Sequence, residues 1–291
     1  MKVGGPPPAM RAARLAAFAA LPLAISACVE PGGTLVEEFL TIDLTDWTLA
    51  WSDEFEGPGL DAAKWVPEIG NGSGGWGNGE LQYYTARPEN LAIVEADGAS
   101  ALRIAARAEA YKGFAYTSAR IKTERKFSFQ YGRAEARIRL PAGQGLWPAF
   151  WMLGDSIDPL GWPECGEIDI LEMKGGISDD TVSGTIHYKN ASGYHQYTPP
   201  GEAPLPSGVF ADGWHVFGVD WNAERVLWYL DGEVFHRESV VEADREEFRS
   251  GPFFLILNLA VGGQFLGYQT PPSGFASAEM LVDWVRVYQK P

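Results

Sequence analysis

The sequence predicts an all-β fold in which two antiparallel sheets stack as a jelly-roll sandwich. Three observations predict this class: repeated segments of alternating apolar and polar residues, no convincing amphipathic helix after residue 27, and 34 glycines with 20 prolines to supply turns. The chain has 291 residues, 46% of them apolar and 21% charged, which is typical of globular proteins. No segment after Trp47 resembles a linker, so we expect one domain over residues 47–291.

The first 27 residues differ from the rest and predict an export signal. They contain three basic residues, no acidic one, and the apolar run LAAFAALPLAISA, which is too short to span a bilayer and contains a proline. The run leads through small residues to Cys28, similar to bacterial lipoprotein signals in which that cysteine is lipidated. Ordinary cleavage after Ala27 is the alternative. In both cases we expect an exported protein, held in the cell envelope or secreted.

The segment from residue 28 to 46 predicts a tether between the membrane and the domain. Loss of the signal would remove three positive charges and change the net charge from −15 to −18. Such a surface repels nucleic acid and anionic lipid, so we expect membrane contact only through a lipid anchor. A neutral polymer meets no such repulsion, and we expect a monomer that acts on one.

Four segments show the periodicity of strands, in chain order. In YGRAEARIRL (131–140), charged and apolar residues alternate, which predicts a half-buried strand. In ERVLWYLDGEVFHRE (224–238), Asp231-Gly232 separates two alternating segments and predicts a tight hairpin. PFFLILNLAVGG (252–263) is apolar almost throughout, as in a strand buried on both faces, and MLVDWVRVYQ (280–289) alternates again.

The segment GEIDILEMKG (166–175) places three carboxylates within six residues. In a regular strand Glu167 and Asp169 share a face, whereas Glu172 points the other way because it lies an odd number of positions from both. A β-bulge at Ile170 and Leu171 would return Glu172 to the face of the other two, and bulges are frequent beside active sites. A solvated acidic edge strand is the alternative.

Three tryptophans precede this acidic segment closely: Trp147, Trp151 and Trp162. Core packing is the alternative explanation for any one of them, but an ordinary wet surface does not gather tryptophans in this way. Aromatic rings that stack on sugar rings, beside carboxylates at the scissile bond, explain both features together.

Several segments resemble glycoside hydrolase family 16, most closely its laminarinase branch of bacterial endo-β-1,3-glucanases. They are WPAFWMLG, GWPECGEIDILE, GNGELQYYTARPEN, TSARIKTERKFSFQYGRAEARIRLPAG, PFFLILNLAVGG and MLVDWVRVYQ. The resemblance extends from Trp47 to Tyr288, and the carboxylate motif has the six-residue form with the bulge. It implies a concanavalin-like jelly roll with a concave substrate cleft, and endo-hydrolysis of β-1,3-glucan with net retention.

The resemblance also implies roles for the carboxylates. Glu167 matches the nucleophile and Glu172 matches the acid/base, in a chemistry that needs two carboxyl groups about 5 Å apart. Asp169 would hold the two glutamates in unlike protonation states, because closely spaced carboxylates cannot all ionise freely. No cofactor or metal is required for catalysis.

Further residues match substrate-binding positions of the family: Trp147, Trp151, Trp162, Asn71, Trp76, Arg120 and His187. For Asn71 and Trp76 the alternative is that the glycine-rich loop alone explains the stretch. Arg120 could instead be an ordinary surface charge. His187 is expected to hydrogen-bond near the acid/base, and the alternative is a core histidine.

A structural calcium ion on the face away from the cleft is also implied by the resemblance. Its side-chain ligands would be Glu54 and Asp283, with a backbone carbonyl near Gly98, since hard oxygen ligands suit calcium. We expect Cys165 to be a packed free thiol.

Two other functions stay open from the sequence. A relative with the same catalytic strand could cleave mixed-linkage β-glucan or a neutral galactan, because the loops select the polymer. A noncatalytic glucan-binding lectin could use the same fold, although such proteins lose one or both glutamates, and this chain keeps both.

Overall fold

The structure is a computed structural model that describes residues 46–290, all of which fall within one compact unit, Phe39–Pro291. The predicted signal peptide, Cys28 and nearly all of the predicted tether lie outside the described residues. These parts of the domain prediction therefore stay predictions.

The described part of the chain contains eighteen strands, two single-turn α-helices, two 3₁₀ turns (Phe210–Asp212 and Gln264–Leu266) and one π-helical turn (Gly75–Gly79). The strands are β1 (Thr48–Asp53), β2 (Val66–Pro67), β3 (Gln82–Tyr84), β4 (Leu91–Ala96), β5 (Ala99–Tyr111), β6 (Phe114–Ser118), β7 (Arg120–Lys122), β8 (Gly132–Arg139), β9 (Leu146–Gly154), β10 (Glu167–Met173), β11 (Thr181–Lys189), β12 (His195–Tyr197), β13 (Gly201–Pro204), β14 (His215–Trp221), β15 (Arg225–Leu230), β16 (Glu233–Ser239), β17 (Phe253–Val261) and β18 (Ser277–Gln289). The helices are α1 (Ile157–Leu160) and α2 (Glu247–Ser250). Within residues 46–290, no helix is long and apolar enough to cross a membrane.

The strands form two sheets. The ten-stranded sheet has the order β16-β15-β14-β8-β18-β5-β6-β3, with β1 also on β18 and β4 also on β5. The eight-stranded sheet has the order β12-β11-β10-β9-β17-β7-β2, with β13 also on β11. All pairs of named strands are antiparallel except β3 with β6. The prediction of an all-β, two-sheet sandwich is confirmed.

The two sheets share an apolar core between their facing sides. Leu255 and Leu257 on β17 and Ala136 and Ile138 on β8 belong to this core. The intervening Ile256 packs on the opposite side of the eight-stranded sheet in a smaller apolar cluster. Burial of each large apolar side chain contributes about 1.5–3 kcal/mol. β17 is therefore buried on both faces, as its apolar sequence predicts.

The predicted hairpin at Asp231-Gly232 joins β15 to β16 as a two-residue turn. The backbone φ angles are 53° at Asp231 and 89° at Gly232. Both angles are positive, as a turn that matches the right-handed twist of the flanking strands requires. The Asp231 carboxylate also accepts a hydrogen bond of 2.8 Å from the backbone N–H of Val216.

β8 is more buried than its alternating sequence predicts. Arg133 is only 1% exposed, and its guanidinium lies 4.6 Å from the ring centre of Trp47. Glu135 accepts a hydrogen bond of 2.8 Å from the Tyr229 hydroxyl. β8 lies between β14 and β18, so long side chains from neighbouring segments cover its polar face. The alternation correctly predicts the core face, but not the coverage of the other face.

Candidate active site

The acidic segment forms β10, which lies inside the eight-stranded sheet between β9 and β11. The alternative of a solvated acidic edge strand is therefore wrong. The pairing register of β10 shifts beyond Asp169 on both sides, which places a bulge at Ile170 and Leu171. Both bulge residues are buried in the core. The predicted bulge is confirmed.

The pairing partners explain how the bulge aligns the carboxylates. Glu167 pairs with His187 of β11 and Glu172 pairs with Ser183, and these two partners are four residues apart on a continuous strand. Because an even spacing keeps side chains on one face, Glu167 and Glu172 point to the same side of the sheet. Asp169 lies between them and is 4% exposed.

Trp147 on β9 contacts Glu172 directly. Its indole Nε1–H donates a hydrogen bond of 2.9 Å to Oε1 of Glu172. The ring is 9% exposed and stacks on Phe265, with 4.8 Å between the ring centres. Trp147 therefore packs in the core, as the alternative explanation expected for one of the tryptophans, and its indole N–H also binds Glu172.

Trp162, in the loop between β9 and β10, contacts Glu167. Its Nε1–H donates a hydrogen bond of 3.1 Å to Oε2 of Glu167, while the residue stays 49% exposed. The side chain of Glu167 keeps 15% exposure. The carboxylate is thus held by a donor and still open to an incoming molecule.

His187 on β11 lies beside Asp169 and Glu167. Its Nε2 is 3.1 Å from Oδ2 of Asp169 and 3.9 Å from Oε1 of Glu167. The prediction expected this imidazole to hydrogen-bond near the acid/base, Glu172, and the structure instead places its Nε2 beside Asp169 and Glu167. The reason is the register, which pairs His187 with Glu167. The side chain is 20% exposed, so the alternative of a core histidine is wrong.

The environment favours the protonated forms of all three carboxyl groups. Burial raises the pKa of Glu167 to about 8, with a further rise from the charge of Asp169. Burial likewise raises the pKa of Asp169 to about 8. For Glu172, burial and then the charge of Asp169 raise the pKa to about 8, while the hydrogen bond from Trp147 opposes the rise. The row titrates as a coupled set, and at neutral pH it holds protons that ordinary carboxylates release.

Trp151, Arg120 and Trp76 form a second group on the same side of the sheet. The Arg120 guanidinium lies 4.5 Å from the ring centre of Trp76 and 4.8 Å from that of Trp151. Arg120 is 9% exposed and pairs with Glu68, so the alternative of an ordinary surface charge is wrong. Such a sandwich fixes the orientation of both rings.

Asn71 shapes the glycine-rich loop that carries Trp76. Its side-chain Nδ2 donates hydrogen bonds to the backbone oxygens of Glu80 at 3.0 Å and Gln82 at 2.7 Å. Both amide hydrogens are therefore used within the protein, so the predicted contact from Asn71 to a substrate would have to use its Oδ1. At Gly72 an added Cβ would lie 2.7 Å from the ring of Trp76, so the loop needs glycine there.

Sequence reasoning missed several residues of the site. Asn258 on β17 accepts a hydrogen bond of 2.7 Å from Nε1 of Trp151. Its signal was a single polar residue in an apolar run. His195 and Tyr197 on β12 lie against His187, with ring-centre distances of 5.1 and 5.7 Å. They gave no signal, because the segment around them has no strand periodicity.

One group of three potential metal ligands comes together among residues 46–290: Glu167, Asp169 and His187, with atoms within 4.8 Å of one another. Protons on the two carboxyl groups, whose pKa values are raised, would compete with a cation there.

The two side chains predicted as calcium ligands each accept hydrogen bonds from an arginine. Arg286 donates two hydrogen bonds to Glu54, at 3.0 and 2.7 Å, and Arg137 donates one of 2.6 Å to Asp283. Both carboxylates therefore face guanidinium groups, and a cation would have to displace them. Calcium binding, including the contribution of Gly98, stays a prediction.

The sequence profile of glycosyl hydrolases family 16 matches residues 78–286. The chain belongs to this family. Among curated relatives, a beta-glucanase of Rhodothermus marinus is 42% identical over 254 residues, covering 84% of this chain and 85% of that protein. A glucan endo-1,3-beta-glucosidase of Cryptopygus antarcticus is 38% identical over 258 residues, covering 82% and 91%.

The fold also agrees with a solved laminarinase structure. The laminarinase catalytic domain from Thermotoga maritima superposes with a TM-score of 0.73 at 41% sequence identity, covering 84% of this chain and 99% of that one. The resemblance inferred from the motifs is thereby confirmed.

Proposed function

We propose that this family 16 protein is an endo-acting glycoside hydrolase that cleaves β-1,3-glucan of the laminarin type with net retention. The observation that carries the proposal is the bulged strand β10, which presents Glu167, Asp169 and Glu172 in one row beside indole rings. The relatives named as β-1,3-glucanases and laminarinase support the choice of polymer.

In the first step of the proposed reaction, Glu167 attacks the anomeric carbon while Glu172 gives its proton to the glycosidic oxygen. The bond between that carbon and oxygen breaks, and the sugar becomes esterified to Glu167. The raised pKa of Glu172 keeps its proton available near neutral pH. Glu167 attacks in the fraction of the coupled row in which it is the ionised group, and the hydrogen bond that Nε1–H of Trp162 donates to it favours this anionic form.

In the second step, water gives a proton to the carboxylate of Glu172 and attacks the same carbon. The ester bond to Glu167 breaks, and the enzyme returns to its initial protonation state. The hydrogen bond from Trp147 stabilises Glu172 in the anionic form that it holds between the steps. Asp169 keeps the acidic row below full ionisation through its charge.

The experiment that tests this proposal is proton NMR of laminarin digestion by residues 47–291, observed before mutarotation. We expect oligosaccharides whose new reducing ends appear first as β-anomers. Early α-anomers would overturn the assignment of Glu167 as nucleophile. Intact laminarin would overturn the proposed substrate, and the same assay on mixed-linkage glucan and agarose would identify the other polymers considered above.

A noncatalytic lectin is distinguished by Glu167→Gln. The amide keeps the shape of the side chain but cannot form the ester intermediate. We expect turnover to disappear and binding of laminarin oligosaccharides, measured by calorimetry, to persist. A wild-type protein that binds these oligosaccharides without turnover would be a lectin.

We also propose export, with Cys28 lipidated and the catalytic domain acting as a monomer at the cell envelope. Support comes from the basic and apolar first 27 residues and the small residues before Cys28. Metabolic labelling with a radioactive fatty acid should mark the wild-type chain and not Cys28→Ser. Equal labelling of both chains would overturn lipidation at this residue, and light scattering would give the oligomeric state.

A further inference from the structure

Two imidazoles meet beside the acidic row. Nδ1 of His187 on β11 lies 2.9 Å from Nε2 of His195 on β12. The ring planes differ by 10°, and the ring centres are 5.1 Å apart. Near-coplanar rings at this separation are joined edge to edge by one hydrogen bond between ring nitrogens. His187 thus has a partner at each nitrogen: His195 at Nδ1 and Asp169 at Nε2.

The partners decide which nitrogen of His187 carries the hydrogen. A neutral imidazole has one N–H donor and one acceptor nitrogen. When Asp169 is ionised, Nε2 of His187 faces acceptor oxygens of Asp169 and Glu167 and therefore carries the hydrogen. Nδ1 is then the acceptor, and the hydrogen in the 2.9 Å contact comes from Nε2 of His195.

We propose that His195 is a positioning residue, which locks His187 in the Nε2–H form and aims that N–H at Asp169. The inference rests on the proposed hydrolase function. Oδ2 of Asp169 is buried and accepts no hydrogen bond of regular geometry among residues 46–290, and Nε2 of His187 lies 3.1 Å from it. The orientation of His187 therefore decides whether this buried oxygen is stabilised as an anion, and hence how the charge of Asp169 acts on Glu167 and Glu172.

The surroundings of His195 favour its neutral form, which the arrangement needs. Burial and the neighbouring His187 lower the pKa of His195. The ring of Trp162 lies 4.4 Å from that of His195, and Tyr197 lies 5.9 Å away. The register partner of His195 is Lys189, whose charge is paired with Glu164. Trp162 thus holds both Glu167, by its N–H, and His195, by its ring.

The test compares His195→Phe and His195→Gln with the wild type in the full chain. Phenylalanine keeps a ring against Trp162 but cannot donate to His187, whereas the glutamine amide can. Tyr194→Phe is the matched control, because Tyr194 lies on the same hairpin, is 71% exposed, and its side chain makes no hydrogen bond or ring contact with either imidazole among residues 46–290. The first readout is the tautomer of His187, measured by nitrogen-15 NMR without substrate.

We expect His187 in the Nε2–H form in the wild type, Tyr194→Phe and His195→Gln, and a mixture of tautomers in His195→Phe. For laminarin we expect kcat about tenfold lower in His195→Phe, with KM little changed, and recovery of most of the loss in His195→Gln. An unchanged tautomer in His195→Phe would overturn the proposal. So would a raised KM at constant kcat, which would make His195 a sugar contact.

Because the NMR readout needs no substrate, it separates the two proposals. If the wild type leaves laminarin intact while the tautomer depends on His195, the proposed substrate fails and the positioning role stands. If laminarin is cleaved with retention and the tautomer of His187 is the same with and without His195, the proposed function stands and the positioning role fails.

Discussion

Trp147 links the proposed acid/base to the aromatic wall of the site through a single N–H. That hydrogen bond stabilises the carboxylate form of Glu172 and so lowers its pKa. In Trp147→Phe the ring can still pack on Phe265, but the donor is lost, so the pKa of Glu172 should rise. Because the first step needs Glu172 protonated, the basic limb of kcat/KM against pH should move to higher pH.

The control for this variant is Trp151→Phe, which loses a hydrogen bond to Asn258 and none to a catalytic carboxyl group. Its basic limb should stay in place even if its KM rises. A shift of the limb to lower pH in Trp147→Phe, or an equal shift in both variants, would contradict the role given to Trp147.

Glu172→Gln removes the proton donor itself. We expect kcat on laminarin to fall by about 10²- to 10⁴-fold, the usual contribution of general acid catalysis. A substrate with a dinitrophenyl leaving group needs little protonation, so its first step should lose far less. Glu164→Gln, an acid that pairs with Lys189, is the control and should keep its activity. Stopped-flow release of the phenol measures the step, and equal losses on both substrates would argue against Glu172 as the acid.

At the scale of elements, the three carboxyl groups of β10 are expected to make the folded state less stable as the pH rises. The carboxyl groups of Glu167, Asp169 and Glu172 have pKa values of about 8 in the folded chain, above the ordinary carboxyl range of an unfolded chain. Groups with raised folded pKa values favour folding below the unfolded pKa, and this stability is lost as pH rises towards the folded pKa. Between about pH 4.5 and 8 the folded state therefore becomes less stable relative to the unfolded chain.

The triple amide variant Glu167→Gln, Asp169→Asn, Glu172→Gln lacks this titration. We expect its free energy of unfolding at pH 8 to exceed that of the wild type by at least about 1.4 kcal/mol, the equivalent of one pKa unit. The excess should diminish towards pH 4.5. Urea unfolding at a series of pH values measures this excess. A difference in free energy of unfolding that does not change with pH would show that the carboxyl groups of β10 are not its cause.

The β15–β16 turn offers a second stability test at this scale. Alanine at Gly232 meets no atom within 4 Å, so the positive φ of 89° is the only source of strain. We expect Gly232→Ala to lower the free energy of unfolding by about 1–2 kcal/mol. Gly251→Ala is the matched control, since Gly251 is also unobstructed but extended at a φ of −165°. Thermal denaturation of both variants measures the difference, and equal values would exclude backbone strain as the cause.

Long strands with a clear pattern of polar and apolar residues could be predicted from the sequence, and very short strands could not. β17 and β18 carry enough residues to show burial on two faces or alternation, and the odd spacing in β10 predicted the bulge. β12 has three residues, too few for a period, so His195 and Tyr197 were missed. The positions of His187 and Asn71 depended on strand register and loop closure, which no local pattern encodes.

At the scale of the whole molecule, net charge should decide how the protein responds to salt. The chain carries a formal charge of −15 and the proposed glucan is neutral. We expect kcat/KM on laminarin to stay constant as the screening length falls from about 30 Å at 0.01 M salt to about 8 Å at 0.15 M. On carboxymethylated β-1,3-glucan, kcat/KM should be low and should rise several-fold over the same range. A strong salt dependence with laminarin would show that charge steers the natural substrate.

Cys165, two residues before Glu167, is a buried thiol whose reaction rate can report local opening of the structure. The thiol is 1% exposed, packs with Leu153, Phe254 and Ile256, and burial raises its pKa to about 12. The thiolate attacks the alkylating reagent, so Cys165 reacts only when the packed structure at the start of β10 opens. In a chain carrying Cys28→Ser, the rate of alkylation would therefore report how often the structure at the start of β10 opens. Slower alkylation with laminarin oligosaccharides bound would show that a sugar chain closes the start of β10.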